Sequence, residues 1–391
     1  MEKLKTQVVV IGGGATGSAV LRDLAMRGLD AILFERGNLA EGTTGNFHGL
    51  LHSGGRYAVK DKPAAVECIE ENRILRRIVP RAIEETGGFF VTLNDEDEEF
   101  LPTFLEGCEE CGIPTEVISG EEARELEPAL SPDVIHAVKV PDASIDGWDV
   151  CVSNVASAKE HGARTFLFTE VTNILREDDR VVGVEAEDVS TGEQYRVEAE
   201  YVVSASGPWA GKIASLADIE VPMVLGKGTM VPLDGRPVQR VINRCHYPGD
   251  GDIIVPVGTT IVLGTTDVVI EDPDNFSIEP WELDLLFVEC MKMVPEIEDM
   301  GMQRPWASVR PLYEPPSEEG EETDRETGME VSRAFYVLDH EELDGVAGFI
   351  TITGGKLTTS RMMAKQTVDV VAEKMGVDEP CRTAEVALPT P

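Results

Sequence analysis

Basic residues are scarce in this chain of 391 residues: 34 lysines and arginines stand against 72 aspartates and glutamates, for a formal net charge of −38. A nucleic-acid backbone needs a cationic face, so the balance argues against nucleic acid as a ligand. Lysine is the scarcer cation, 12 against 22 arginines, and the acids run along the whole chain instead of forming one tail. Such a surface fits solubility in a salt-rich cytoplasm better than a docking patch for one basic partner. An anionic small molecule can bind only where local cations overcome that field. Long apolar runs are also missing: none approaches the roughly 18 residues of a membrane span. The first, Val8 to Ile11, stops at three glycines and leaves no room for a secretory signal, so a cytoplasmic protein is expected. Cysteine is sparse, 7 residues at irregular spacing, which does not make a disulfide framework. Cys108 and Cys111 form a CEEC, but no second CxxC follows, and both fall in a helical pattern ending at Gly112; packing is the expected role. The 6 histidines are scattered without ligand spacing, so no metal site is expected.

The chain does have length enough for a large core, and that length suggests two domains, interleaved along the sequence. QVVVIGGGATGSAVLRDLAMRGLDAILFERG reads as strand, glycine turn, helix and strand. Apolar positions 20, 21, 24 and 25 share one helix face, and Gly28 ends the helix. Gly12, Gly14 and Gly17 give G-x-G-x-x-G at the turn: the first for the bend, the second for close approach of a pyrophosphate, the third for helix–strand packing. Glu35 closes the second strand, where a carboxylate can accept from ribose hydroxyls, and the helix N-terminus offers aligned N–H groups to phosphate. A bound dinucleotide is therefore expected. A nicotinamide enzyme usually continues as βαβαβ. Here a long glycine-rich segment follows instead, then a meander (Val171–Arg176, Val181–Asp188, Gln194–Glu198) returns to VVSASGPWAG, which points to FAD.

Elsewhere, residues 63–79 and 148–161 read as helices, Ser119 with Glu122 forms a capping box, and strand patterns dominate 219–270. A helix at 280–294, a strand at WASVRPL, strands at 334–338 and 348–353 and a final helix to Met375 complete the pattern. The expected fold class is α/β: a discontinuous Rossmann-type FAD-binding domain (1–80, 150–215 and 335–378) with a largely antiparallel β-sheet substrate domain (81–149 and 216–334). Residues 314–329, with little apolar content, read as a mobile acidic loop, and 379–391 as the stub of a linker.

LLHSGGRYA, residues 50–58, sets a histidine, an arginine and a phenol around a backbone of little bulk. It reads either as a polar surface loop or as a flat bed of backbone for a planar ligand.

IGGGATGSAVLRDLAMRG, GLLHSGGRYAV, GTTD, SVRPL and TITGGKLTTSRMMA, in that order, resemble the FAD-dependent glycerol-3-phosphate dehydrogenases. AVKVPDASID, VINRC and LDHEELDGVAGFITITGGKLTTSRMMA are more similar to the catalytic A subunit of the anaerobic, quinone-linked enzyme. The resemblance covers essentially the whole chain, and it implies oxidation of sn-glycerol 3-phosphate to dihydroxyacetone phosphate by hydride transfer to flavin N5. Electrons would pass to the quinone pool through partner subunits at the inner face of the cell membrane. In such catalytic chains a segment like PCRTAEVALP leads into a cysteine-rich domain, whereas this sequence stops there. On this reading the HSGG backbone is the bed for the flavin, and His52 is the base that takes the hydroxyl proton or else a flavin contact. Arg310, Arg333 and Lys356 match the family's anion-binding positions, and Arg56 and Tyr57 complete the substrate pocket. Cofactor contacts are expected at Gly12, Gly14, Ala15, Thr16 and Gly17, then at Glu35 and Arg36. They continue through Thr43, Thr44, Asn46, Gly49, Leu50 and His52 to Val171 and Gly207. Gly354, Gly355, Lys356, Leu357 and Thr358 close the set, and His48 is read as packing or cofactor contact. An amino-acid, amine or hydroxy-acid oxidase on the same fold, or a flavin subunit that only relays electrons, are the alternatives.

Overall fold

The computed structural model describes residues 1–315 and 331–390; most of the expected acidic loop at 314–329 lies outside the described residues. Five parallel strands lie side by side in the order Arg164–Phe166, Ala31–Phe34, Val8–Ile11, Tyr201–Ser204 and Phe349–Gly354. Phe335–Asp339 closes the far edge antiparallel. Val8–Ile11 is buried at every residue, because the sheet is covered on both faces. Val8 and Val10 pack on the helices Ala15–Met26, Gly147–Glu160 and Ser360–Met375. Val9 and Ile11 face the other way, onto Val184, Val197 and Ala214. That second cover is the short helix Ala210–Ser215 and a four-stranded sheet built from the expected meander plus Glu2–Lys5, which pairs parallel with Gln194–Glu198. No strand is expected before Val8 from the sequence: with three charged residues among its four (EKLK), this edge shows no apolar run to read.

The second large sheet has nine strands and is antiparallel except where Val241–Arg244 runs parallel to Gly88–Val91. Its long strand Met223–Asp234 pairs with Thr260–Gly264, Val268–Ile270 and Trp306–Tyr313. The helix Pro280–Met293 buries Leu286, Cys290 and Met293 against this sheet. Its Glu282 is fully buried and accepts from Lys227 Nζ (2.7 Å), Thr229 Oγ1 (2.8 Å) and Thr266 Oγ1 (2.8 Å). One carboxylate thus ties helix, long strand and the GTTD turn together.

A small sheet of Leu50–Leu51, Ala143–Ile145 and Ile83–Glu84 lies at the seam and fixes the residues that follow Leu51. Gly54 adopts φ +100, and a Cβ there would come within 2.4 Å of Ala65 O on the helix Lys62–Ile78. At Gly55 a Cβ would meet the ring of Phe90 at 3.0 Å. The two glycines thus serve close packing onto a helix and an aromatic ring, not the flat ligand bed expected from the sequence. The segment after residue 378 also packs down: Thr383 is buried, and the buried Arg22 donates to the carbonyls of Thr383 (3.3 Å) and Val386 (2.6 Å).

Candidate active site

A cavity of about 1110 Å³ runs from the carboxyl ends of the parallel strands to the face of the nine-stranded sheet. It exceeds the roughly 300–1,000 Å³ usual for small-molecule pockets, which suits a dinucleotide with a second small ligand. At one end, the Gly12 turn is held by packing that no side chain would allow: a Cβ on Gly12 would lie 2.6 Å from Ala205 O, and one on Gly17 1.9 Å from Gly12 O. Gly12, Gly14, Ala15 and Thr16 line the cavity, while Gly17 seals helix to strand. Glu35 accepts from the backbone N–H of Gly13 (2.6 Å) and of Gly37 (2.8 Å), so it braces the turn; its remaining lone pairs stay open to a hydroxyl. Thr44 Oγ1 accepts from Ala15 N–H (3.0 Å) at the helix N-terminus.

Arg36 lies 4.1 Å over the ring of Trp209, and both bond Asp274. Trp209 and Asp274 line the cavity and were not singled out from the sequence; an aromatic just after SGP, at the closing strand's turn, is the signal that could have found Trp209. Thr43, Leu50, Val171 and Gly207 also line it. Asn46 and Gly49 do not: the Asn46 amide donates to the carbonyls of Glu41 and Gly42 (both 2.8 Å), and Gly49 packs against Val257. Gly354, Gly355, Lys356, Leu357 and Thr358 line the opposite wall, the last three entering a 3₁₀ turn at Leu357–Thr359 that precedes the final helix. Gly355 (φ +68) has no room for a side chain, since a Cβ would meet Met363 Sδ at 2.5 Å.

At the other end His52, Arg56, Tyr57, Arg310, Arg333 and Lys356 converge. His52 is buried, with Thr358 Oγ1 accepting from its N–H (3.3 Å) and its carbonyl accepting from Asn72 Nδ2 (3.1 Å). Its ring packs 5.3 Å from Tyr57 and 5.8 Å from His48. Burial first, then the charges of His48, Lys356, Arg56 and Arg333, hold its pKa well below the usual imidazole value. Burial also pushes His48 down to about 3, helped by Arg310 and Arg56. Lys356 Nζ sits 4.7 Å over the Tyr57 ring and donates to Arg333 O (3.2 Å). Arg56 is already paired, at 2.6 Å, with the buried Asp252, which also bonds His246 Nε2 (2.8 Å).

Two acids to which the sequence assigned no role stand inside this cation set. Asp267, the last residue of GTTD, reaches Arg310 Nη1 and Arg333 Nη2, each at 3.1 Å. Asp250 accepts from Asp267 N–H (3.0 Å); burial, then the charge of Asp267, pushes its carboxyl up to about 6. Gly226 and Gly228, alternate residues of the long strand, make the floor. A Cβ on Gly226 would lie 2.8 Å from Asp267 Oδ1, and one on Gly228 2.8 Å from Arg310 Nη2. GKG inside a strand was the legible signal.

The residues fit FAD. The glycine cradle, the open wall at Gly207 and Gly355 and the aromatic–guanidinium stack form one continuous trough. Two buried atoms on the wall, Arg333 Nη1 and Ser308 Oγ, have no hydrogen-bond partner among the described residues, as expected where a ligand provides one. No group of three or more His, Cys, Asp or Glu side chains among the described residues is placed to hold a metal ion.

Residues 7–361 match the family model described as FAD dependent oxidoreductase. The chain is 50% identical over 396 residues to the A1 subunit of anaerobic glycerol-3-phosphate dehydrogenase from Haloferax volcanii, covering 99% of this chain and 67% of that one. It is 45% identical over 386 residues to the A subunit of the Escherichia coli K12 enzyme, covering 98% and 70%. Among solved structures, the glycerol-3-phosphate dehydrogenase of Bacillus halodurans complexed with FAD superposes with a TM-score of 0.73 at 23% identity, over 98% of this chain and 68% of that one. Glycine oxidase from Geobacillus kaustophilus does so with 0.75 at 20% identity, over 99% of both. Those two likenesses fix the fold, and the sequence relatives fix the branch. The chain belongs to the FAD-dependent oxidoreductase family, among the relatives of the A subunit of anaerobic glycerol-3-phosphate dehydrogenase.

Proposed function

We infer that this chain oxidises sn-glycerol 3-phosphate to dihydroxyacetone phosphate. The observation that carries the reading is the placement of Arg310, Arg333 and Lys356 on the wall of the cavity that also holds a buried, uncharged His52. A phosphate leaves water only where paired cations offset its desolvation, and so acidic a chain concentrates cations at one place for a reason. Bound FAD supplies the acceptor for the hydride from the alcohol carbon. The rest falls to the chain. Arg333 and Lys356 hold the phosphate and thereby fix the distance of the alcohol carbon from His52. The His52 imidazole takes the hydroxyl proton. In the free protein burial, and then the surrounding cations, keep His52 unprotonated; an arriving phosphate dianion offsets the cations' share and makes the imidazole a stronger base when it is needed. Arg56, fixed by Asp252, and Tyr57, under Lys356, shape the pocket around the glycerol.

Onward transfer to the quinone pool, through partner subunits at the cytoplasmic face of the membrane, is supported by kinship with chains named as subunits of a larger enzyme. Among the described residues no helix is long and apolar enough to cross a membrane.

Turnover with an artificial electron acceptor tests the substrate reading. Glycerol 3-phosphate should reduce the acceptor with a kcat/KM at least roughly 10³-fold above glycerol, the difference of a buried charge pair at 1.36 kcal/mol per decade. Oxidation of glycine or another amino acid in preference to the phosphate ester would replace this reading with that of an amine oxidase.

A further inference from the structure

The cations of the pocket are not equivalent, although one carboxylate touches both arginines. The terminal nitrogens of Arg310 are fully engaged: Nη1 donates to Gly226 O (3.3 Å) and Asp267 Oδ1 (3.1 Å), Nη2 to Thr265 Oγ1 (2.9 Å) and Thr266 O (2.9 Å). Those four acceptors match the four N–H bonds that the two terminal nitrogens carry. Arg333 differs. Its Nη2 donates to Asp267 Oδ2 (3.1 Å), while its Nη1 is buried with no partner among the described residues. Asp267 itself is buried, with its side chain 1% exposed, and it lies against both guanidinium groups. Gly226 and Gly228 clear the strand beneath them, so the array is built into the sheet and does not depend on flexible surface side chains.

We propose that Asp267 is a positioning residue, a resident counter-anion that completes the acceptor set of Arg310 and leaves Arg333 Nη1 as the donor for the substrate's phosphate. The proposal rests on the reading that the substrate is a phosphate ester. A resident carboxylate competes with any arriving anion for the same two cations, so it weakens anion binding as such. In return it denies the phosphate a second seat against Arg310 and fixes it on the Arg333 side, which sets where the alcohol carbon lies relative to His52. Affinity and turnover should then respond in opposite directions when the charge is removed. A carboxylate with a purely structural task would give losses in both.

The test uses the FAD-loaded protein and inorganic phosphate as the probe, with binding followed by calorimetry. In Asp267→Asn, phosphate should bind roughly tenfold or more tightly, because a negative charge in contact with both arginines is gone. The kcat for glycerol 3-phosphate should fall about 10²-fold, the scale of a 1 Å misplacement. Phosphate affinity that is unchanged or weakened overturns the proposal. Should Asp267→Asn not fold, a second comparison decides. Arg333→Gln should weaken phosphate binding at least about tenfold more than Arg310→Gln, since only Arg333 offers an unengaged terminal nitrogen; equal or reversed losses overturn the assignment. The substrate reading fails separately, as a wild-type flavin that glycerol 3-phosphate leaves oxidised. The phosphate comparisons need no turnover.

Discussion

His52 works in a setting that penalises its charged form twice, by burial and by nearby cations. A histidine in that position is unprotonated at neutral pH and has room to gain basicity as the phosphate arrives. His52→Asn keeps the approximate size and the backbone bonds to Thr358 and Asn72 but removes the imidazole. FAD should remain bound, and the rate of flavin reduction by glycerol 3-phosphate should fall roughly 10²- to 10⁴-fold, measured anaerobically by stopped flow. A smaller loss would make His52 a flavin contact only. The same depression sets a pH dependence of stability. The folded pKa lies below the unfolded value of about 6.5, so the unfolded chain binds the extra proton first. The stability from a neutral His52 is complete above about pH 6.5 and is lost as pH falls toward the folded pKa. Urea midpoints compared at pH 7.5 and 5.5 should therefore drop less in His52→Asn than in the parent. An equal drop would mean that the histidine is not held neutral.

At the level of elements, the GTTD turn is held from beneath by the helix Pro280–Met293 through Glu282. The Glu282–Lys227 pair has side chains 0% and 3% exposed, so truncating one partner strands the other charge. Glu282→Ala should cost about 3–5 kcal/mol of folding free energy, read from denaturant midpoints. It should also lower turnover of glycerol 3-phosphate, because Thr266 loses its anchor beside Asp267. A loss under about 1 kcal/mol would place the pair among those that barely matter. This network shows what a single sequence can and cannot yield. The strand–turn–helix at Val8–Met26 was legible because each glycine has a local reason and the apolar periods are clean. The positions of Arg310 and Lys356 were legible through the likeness of SVRPL and GGKLTT to a family. Asp267 stands within GTTD yet carried no legible role, since its two partners lie 43 and 66 residues away in the chain. The HSGG glycines were misread because, although a helix at 63–79 was legible, its close contact with the turn at Gly54 was not.

For the whole molecule, the net charge of −38 sets the terms. Most of the carboxylates that carry it repel one another through solvent, and salt screens such repulsion over about 10 Å at 0.1 M and about 3 Å at 1 M. The melting temperature should climb with KCl into the molar range; a flat profile would contradict self-repulsion as the main effect of the acidic surface. Against this background Arg56, Arg310, Arg333 and Lys356 gather around one cavity, each of the arginines beside the carboxylate of Asp252 or Asp267. The claim that this cluster of cations holds a phosphate ester beside a flavin is tested most directly by the flavin's own spectrum. Under anaerobic conditions, with no other acceptor, adding sn-glycerol 3-phosphate should bleach the oxidised flavin absorbance of the purified protein, while glycerol at the same concentration should leave it unchanged. A flavin that stays oxidised with glycerol 3-phosphate, or that is bleached equally by glycerol, would contradict the account.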